Sequence, residues 1–136
     1  MLPIPVTVCL TAVFSIMLMI LSILVSLRRR ELNLPLGDGD DRILRRRIRA
    51  HGNFTENAPL CVLLVLSLEA VLATSDTIWI VALIFLVARI MHAFGTLARD
   101  YRRLIPPAMV MQHATLVICG FWLLFQMYDA LIGQAV

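Results

Sequence analysis

The chain has 136 residues, 60% of them hydrophobic, and a formal net charge of +3. Soluble domains hold about 45–50% apolar residues. A water-soluble fold of this composition would expose a large apolar surface, so the chain reads as a single membrane domain that does not bind nucleic acid. All twelve basic residues are arginine, and eight of them fall between Arg28 and Arg49. Such clusters mark the cytoplasmic side of a membrane protein, and setting topology is a sufficient role for most of this one.

Ile4 to Leu27 carries no charge over 24 residues, roughly 36 Å of helix against a hydrocarbon core of about 30 Å. It predicts a first span over 4–27, with Pro3 and Pro5 in its first turn and Arg28-Arg29-Arg30 as its stop. The N-terminus lacks the basic region of a cleavable signal peptide. A cytoplasmic connection over 28–49 follows. Its Pro35, Gly37 and Gly39 break regular structure. Its D-G-D-D run reads as a solvated turn, because it lacks the ligand spacing of a calcium loop. Asp41 is placed to cap a second helix over Arg42 to about Ala73, spanning from 50 to 73, with Pro59 inside it. Glu69 is expected near the far interface, within reach of water. Ser75 or Asp76 then caps a third span over 78–98, which contains Arg89 and His92 and is expected to continue through Arg103 until Pro106 and Pro107 end it. The fourth span covers 107–129, with Gln112, His113 and Gln126 as its polar residues. The fold class is therefore an all-α membrane protein, an up-down four-helix bundle with both termini outside. Cys9, Cys61 and Cys119 match no metal motif and read as buried structural thiols.

Polar residues at the arginine-rich end fall on two stripes. At 100° per residue with Arg45 as zero, Glu56 lies at about 20°, Arg49 at about 40°, Asn53 at about 80° and Arg46 at about 100°. His51, at about 240°, faces elsewhere. On the third span with Arg89 as zero, Thr96 lies at about 340°, Arg103 at about 320°, His92 at about 300° and Arg99 at about 280°, while Arg102, near 220°, is outside the stripe. Two such stripes facing each other make a cationic pocket with one buried carboxylate. It complements a ligand with two or more carboxylates and one ammonium, such as glutathione. Arg49 and its neighbours would hold the carboxylates, Glu56 the ammonium, and a guanidinium would favour thiolate over thiol. From spacing alone, structural ion pairs such as Arg49–Glu56, Arg89–Glu56 or Arg89–Glu69 account for the same residues equally well. His92 and His113 individually read first as interhelical hydrogen bonders. A small multidrug exporter is a weaker reading, because the first span has no carboxylate.

The segment R-A-H-G-N-F-T-E-N-A-P, residues 49–59, resembles the signature of the MAPEG family, membrane-associated proteins in eicosanoid and glutathione metabolism. The match lies at Arg49, Ala50, Asn53, Glu56 and Pro59. The A-R-I-M-H-A-F-G segment, residues 88–95, is similar to that family's third-helix motif, and the short length looks most like the small bacterial, YecN-type inner-membrane branch. The resemblance implies a homotrimer among membrane lipids, with glutathione as co-substrate bound between subunits near the cytoplasmic face. It implies that Arg49, Asn53 and Glu56 contact glutathione, with His51 and Asn57 beside it. Arg46, Arg89, His92 and Thr96 complete the candidate binding set, His92 and Thr96 falling where relatives often carry Tyr. Arg103 falls where the leukotriene-synthase type carries its thiolate-activating arginine, and Arg99 is the second candidate for that role. The implied activity is a glutathione-dependent transferase or peroxidase acting on lipophilic small molecules. The alternative is a non-enzymatic member that binds a lipid or partner, with a structural Arg/Glu network. Whether the protein turns over is open at this point.

Overall fold

A computed structural model describes residues 3–133. Helices form where the four apolar runs lie: α1 (Pro5–Glu31), α2 (Arg42–Leu72), α3 (Asp76–Leu97) and α4 (Ile105–Gly133), with a 3₁₀ turn over Arg99–Leu104 leading into α4. Among the described residues four helical segments are long and apolar enough to cross a bilayer, and the chain is an all-α membrane protein built as an up-down four-helix bundle. The helices α2 and α3 form its centre. α1 packs on both of them from one side and α4 from the other, and α1 and α4 do not touch among the described residues.

Lipid tails are as apolar as leucine, so helix association in a bilayer rests on close packing rather than on escape from water. The buried stripe of α2 shows how the sequence meets this demand. Ala50, Phe54, Ala58, Cys61, Val65 and Leu68 recur at three- and four-residue spacing, with small residues set among large ones. On α3, Ala82, Ala88, Ala93 and Gly95 are buried in the same way. Phe14 of α1 meets Phe54 edge to face, with ring centroids 5.3 Å apart. Large apolar residues such as Ile16, Leu63, Leu83 and Leu124 are exposed on the outer faces, as a lipid-facing surface requires. Cys61 and Cys119 are buried, but Cys9 is exposed on the outside of α1, contrary to the expectation of three buried thiols.

The connection between α1 and α2 is held by ions. Arg28 Nη2 lies 2.9 Å from Asp41 Oδ2, and Arg45 pairs with Asp38 and Asp40. Asp41 also caps α2, its side chain accepting from the Leu44 N–H at 2.6 Å. At the other end, Ser75 is the N-cap residue of α3 but makes no side-chain cap bond.

Two expectations about helix ends need correction. Glu69 does not reach water. It is 2% exposed and caps α1 from another helix. It accepts from Val6 N (3.0 Å), Thr7 N (2.8 Å), Thr7 Oγ1 (2.7 Å) and Thr74 Oγ1 (2.8 Å). A helix start leaves backbone donors without intrahelical partners and carries a positive dipole end. Pro5 has no N–H to satisfy, so a carboxylate on Val6 and Thr7 meets the donors that remain.

The second correction concerns α3, which does not run through Arg103. It stops at Leu97, Ala98 is extended (φ −97°, ψ 119°), and the chain turns through Arg99–Leu104. Proline harms a helix interior but not its first turn. Pro106 and Pro107 accordingly begin α4 rather than end α3. Gly95 permits the tight reversal: a Cβ there would lie 3.0 Å from both the Tyr101 carbonyl oxygen and Ile105 Cγ1.

Candidate functional site

The reversal after α3 closes one side of a cavity at the arginine-rich end of the bundle. The cavity holds about 330 Å³ and is lined by Arg46, Arg49 and Asn53 from α2, His92 and Thr96 from α3, Arg102 from the 3₁₀ turn and Ile105 at the start of α4. Its volume lies at the lower end of the range of about 300–1,000 Å³ for small-ligand sites. Spacings of three and four residues put the α2 and α3 side chains on facing stripes, as the helical periodicity predicts for these five residues.

Behind the lining lies a buried polar layer. Arg89 is 1% exposed, and its Nη1 donates to Asn53 Oδ1 at 2.8 Å. That bond occupies the amide oxygen of Asn53 and leaves its Nδ2 as the donor available to the cavity. Asn57 Nδ2 donates to the Asn53 carbonyl at 2.8 Å, and Gln112 Nε2 donates to Asn57 Oδ1 at 2.6 Å, tying α2 to α4. Arg89 Nε and Nη2 and Gln112 Oε1 are buried without a hydrogen-bond partner. Thr96 Oγ1 donates to the His92 carbonyl at 2.8 Å, which keeps the lone pairs of the hydroxyl for other donors.

Among the described residues no carboxylate pairs with the arginines that line this cavity. The ion pairs among the described residues use only Arg28 and Arg45 as cations. None of the structural pairs that spacing allows, Arg49–Glu56, Arg89–Glu56 or Arg89–Glu69, is formed. The cavity therefore gathers three guanidiniums, an amide donor and an imidazole around a space without a carboxylate in its wall. Arginine presents paired N–H donors in a fork that matches a carboxylate.

The MAPEG family model matches residues 7–127. The chain belongs to the MAPEG family. Searches of curated proteins and of solved structures return no match. Membership spans nearly the whole chain and agrees with the four membrane helices.

Within this MAPEG bundle the expected site residues separate into groups. Arg46, Arg49, Asn53, His92 and Thr96 meet in the cavity. Arg89 and Asn57 lie behind it as supports of Asn53. His51 faces a different concavity with Ser15, Leu18 and Ser22 of α1, as its position on the helical wheel foretells. Glu56 is exposed and does not line the cavity, so the buried carboxylate expected from periodicity is not there. Arg99 lines an outer concavity next to the first, and Arg103 is exposed and lines neither. Arg102, which a continuous helix turns away, instead reaches both. The wheel fails for these three arginines because the α-helical period ends at Leu97. The adjacent prolines at 106 and 107 are the signal that could have revealed it, since a Pro pair is better placed at the start of a helix than at the end of one.

Proposed function

We propose that this MAPEG protein binds glutathione in the arginine-lined cavity and serves as a membrane glutathione transferase or peroxidase acting on lipophilic electrophiles. The observation that carries the reading is the set of unneutralised guanidiniums of Arg46, Arg49 and Arg102 around a cavity formed by the family-signature residues Arg49 and Asn53. The lining suits the two carboxylates of the tripeptide. Its ammonium finds no carboxylate in the wall, and Glu56, exposed on the same subunit, is available to a site completed by a neighbouring copy in a trimer.

Glutathione supplies the thiol; its sulfur, having given its proton to solvent, forms the new bond to an electrophilic carbon as a leaving group departs with its electron pair, or as the π pair of an acceptor double bond shifts away and is protonated. The residues of the chain do the rest. Arg46 and Arg49 hold carboxylates, Asn53 Nδ2 donates a hydrogen bond, and Arg102 is the cation placed to stabilise a thiolate. This reading moves the activating role from Arg103 and Arg99 to Arg102. It also places the arginine-rich end on the cytoplasmic side.

A second reading keeps the fold and drops the chemistry: a non-enzymatic MAPEG protein whose polar residues serve assembly with a partner or a second copy. The exposure of Glu56 favours it. It predicts that Arg49→Ala and Glu56→Gln break the oligomer, whereas the binding reading predicts lost glutathione affinity with assembly kept. The deciding experiment is a spectroscopic titration of the glutathione thiol bound to detergent-purified protein. A depressed thiol pKa that returns toward its free value in Arg102→Gln, but not in Arg103→Gln, supports the transferase. An unchanged thiol pKa together with no conjugation across a panel of electrophiles ends it.

A further inference from the structure

Beside the candidate glutathione cavity lies a second concavity of about 340 Å³ whose lining is entirely arginine: Arg42, Arg45, Arg46 and Arg49 from α2, Arg99 and Arg102 from the 3₁₀ turn. The two spaces share Arg46, Arg49 and Arg102. Arg42, Arg45 and Arg99 belong to the outer one alone. We propose that this arginine concavity is a separate binding site for a phosphate group.

The charge distribution supports a ligand over a topology signal. Of the six arginines only Arg45 has ion-pair partners among the described residues, Asp38 and Asp40. The nearby Glu31 and Asp41 are engaged by Arg28. Guanidiniums gathered on one concave surface repel one another, and a bound anion relieves that repulsion. A topology signal needs basic residues on the correct side of the membrane, but it does not need them to converge from two segments far apart in sequence. Here convergence depends on the turn after Leu97, which folds tightly enough to need Gly95 and so carries Arg99 and Arg102 to α2.

The composition of the wall selects the ligand. Five guanidinium forks without an ion-pair partner, beside an Arg45 already held by Asp38 and Asp40, favour a group with several acceptor oxygens and more than one direction of approach, and phosphate offers both. The same wall disfavours zwitterions, since an ammonium or choline group would face only cations. Glutathione is therefore suited to the inner cavity, which has acceptors in Thr96 and His92, rather than to the outer one. The arginines stand at the start of a membrane-spanning helix, where both a lipid headgroup and a soluble phosphate ester have access.

The proposal does not depend on glutathione binding, because Arg42 and Arg99 lie outside the inner cavity and the two ligands are titrated separately. The purified full-length protein is reconstituted with an equimolar mixture of phosphatidylglycerol and phosphatidylcholine, and retained lipid is measured by native mass spectrometry. Binding of inorganic pyrophosphate is measured by calorimetry in zwitterionic detergent. Selective retention of phosphatidylglycerol, displaced by pyrophosphate or not, supports a lipid phosphate. Pyrophosphate binding without lipid selectivity supports a soluble phosphate ester. In either case Arg42→Gln/Arg99→Gln, which removes two arginines without ion-pair partners among the described residues, weakens the interaction about 30-fold, Arg42→Lys/Arg99→Lys recovers most of it, and Arg30→Gln, whose arginine is exposed outside the concavity, leaves it unchanged. Absence of both interactions overturns the proposal. So does binding that is the same in Arg42→Gln/Arg99→Gln as in the unaltered protein.

Discussion

Replacing Arg89 by methionine should make the protein more stable and bind glutathione less well. Arg89 is 1% exposed and, among the described residues, makes one side-chain hydrogen bond, 2.8 Å to Asn53 Oδ1, with no partner for Nε and Nη2. An ion taken out of water costs several kcal/mol after relaxation. One hydrogen bond to a charged group returns about 1.5–3 kcal/mol. Methionine fills much of the volume of arginine with a flexible apolar chain and carries no charge to desolvate. The balance is a net gain of about 1–3 kcal/mol in unfolding free energy, with Asn53 Oδ1 released to the water of the cavity. Asn53 then loses the contact that fixes its amide, so its Nδ2 is no longer held toward the ligand. Affinity for glutathione should fall about tenfold, the equivalent of about 1.4 kcal/mol. The assay pairs reversible unfolding in mixed micelles of increasing SDS fraction with equilibrium binding of labelled glutathione. An Arg89→Met protein that is less stable by more than about 1 kcal/mol while binding glutathione normally would refute the reasoning. It would show that Arg89 is satisfied within the fold and does not position Asn53.

Other expected outcomes rest on individual residues. Glu69→Gln replaces one of two accepting oxygens with a donor opposite donors from Val6, Thr7 and Thr74, and should cost about 3 kcal/mol or more in the same unfolding assay; a loss under about 1 kcal/mol would contradict the interhelical cap. Gly95→Ala forces a Cβ to within 3.0 Å of the Tyr101 carbonyl and Ile105, so it should shift the turn that carries Arg102 and weaken glutathione binding. Gly52→Ala meets nothing within 4 Å and should stabilise α2 by up to about 1 kcal/mol; equal binding by the two variants would separate the turn from the site. The carboxyl of Asp41 is held down, from 3.8 to about 2, by its hydrogen bond with Arg28 and by the Leu44 N–H. A folded-state pKa below the unfolded one gives stability that is present above pH 3.8 and is lost as pH falls through about 2. Thermal melts of the unaltered protein between pH 5 and 2 should therefore show a decline to which Asp41 contributes, and that part should be missing in Asp41→Asn. Identical pH profiles for the two proteins would remove Asp41 from the account.

Composition and periodicity made the bundle legible because the forces that set it are local. An uncharged run of span length must be a helix in hydrocarbon, where each backbone polar group needs an internal partner. The same periodicity brought Arg46, Arg49, Asn53, His92 and Thr96 to one space, since each lies within a continuous α-helix. It failed where the helix stopped. Arg99, Arg102 and Arg103 lie on a 3₁₀ turn after an extended Ala98, and no 100° wheel applies to them. Glu69 shows a second limit: its partners, the N–H groups of Val6 and Thr7, are more than sixty residues away in sequence, so only tertiary packing reveals the cap. The exposure of Glu56 likewise depends on where α1 and α3 lie around α2, which helical spacing on one segment does not specify.

Equilibrium dialysis of labelled glutathione against the detergent-purified protein, with Arg49→Ala alongside, decides whether the arginine cavity of this MAPEG bundle holds glutathione. Arg49 lines the cavity and has no ion-pair partner among the described residues, so its loss removes charge-assisted bonds worth about 1.5–3 kcal/mol, or about 10- to 150-fold in Kd. Saturable binding by the unaltered protein and that degree of weakening in the variant, with its assembly state unchanged, are the expected results. Absence of saturable binding, or equal binding by both proteins, would contradict the glutathione reading.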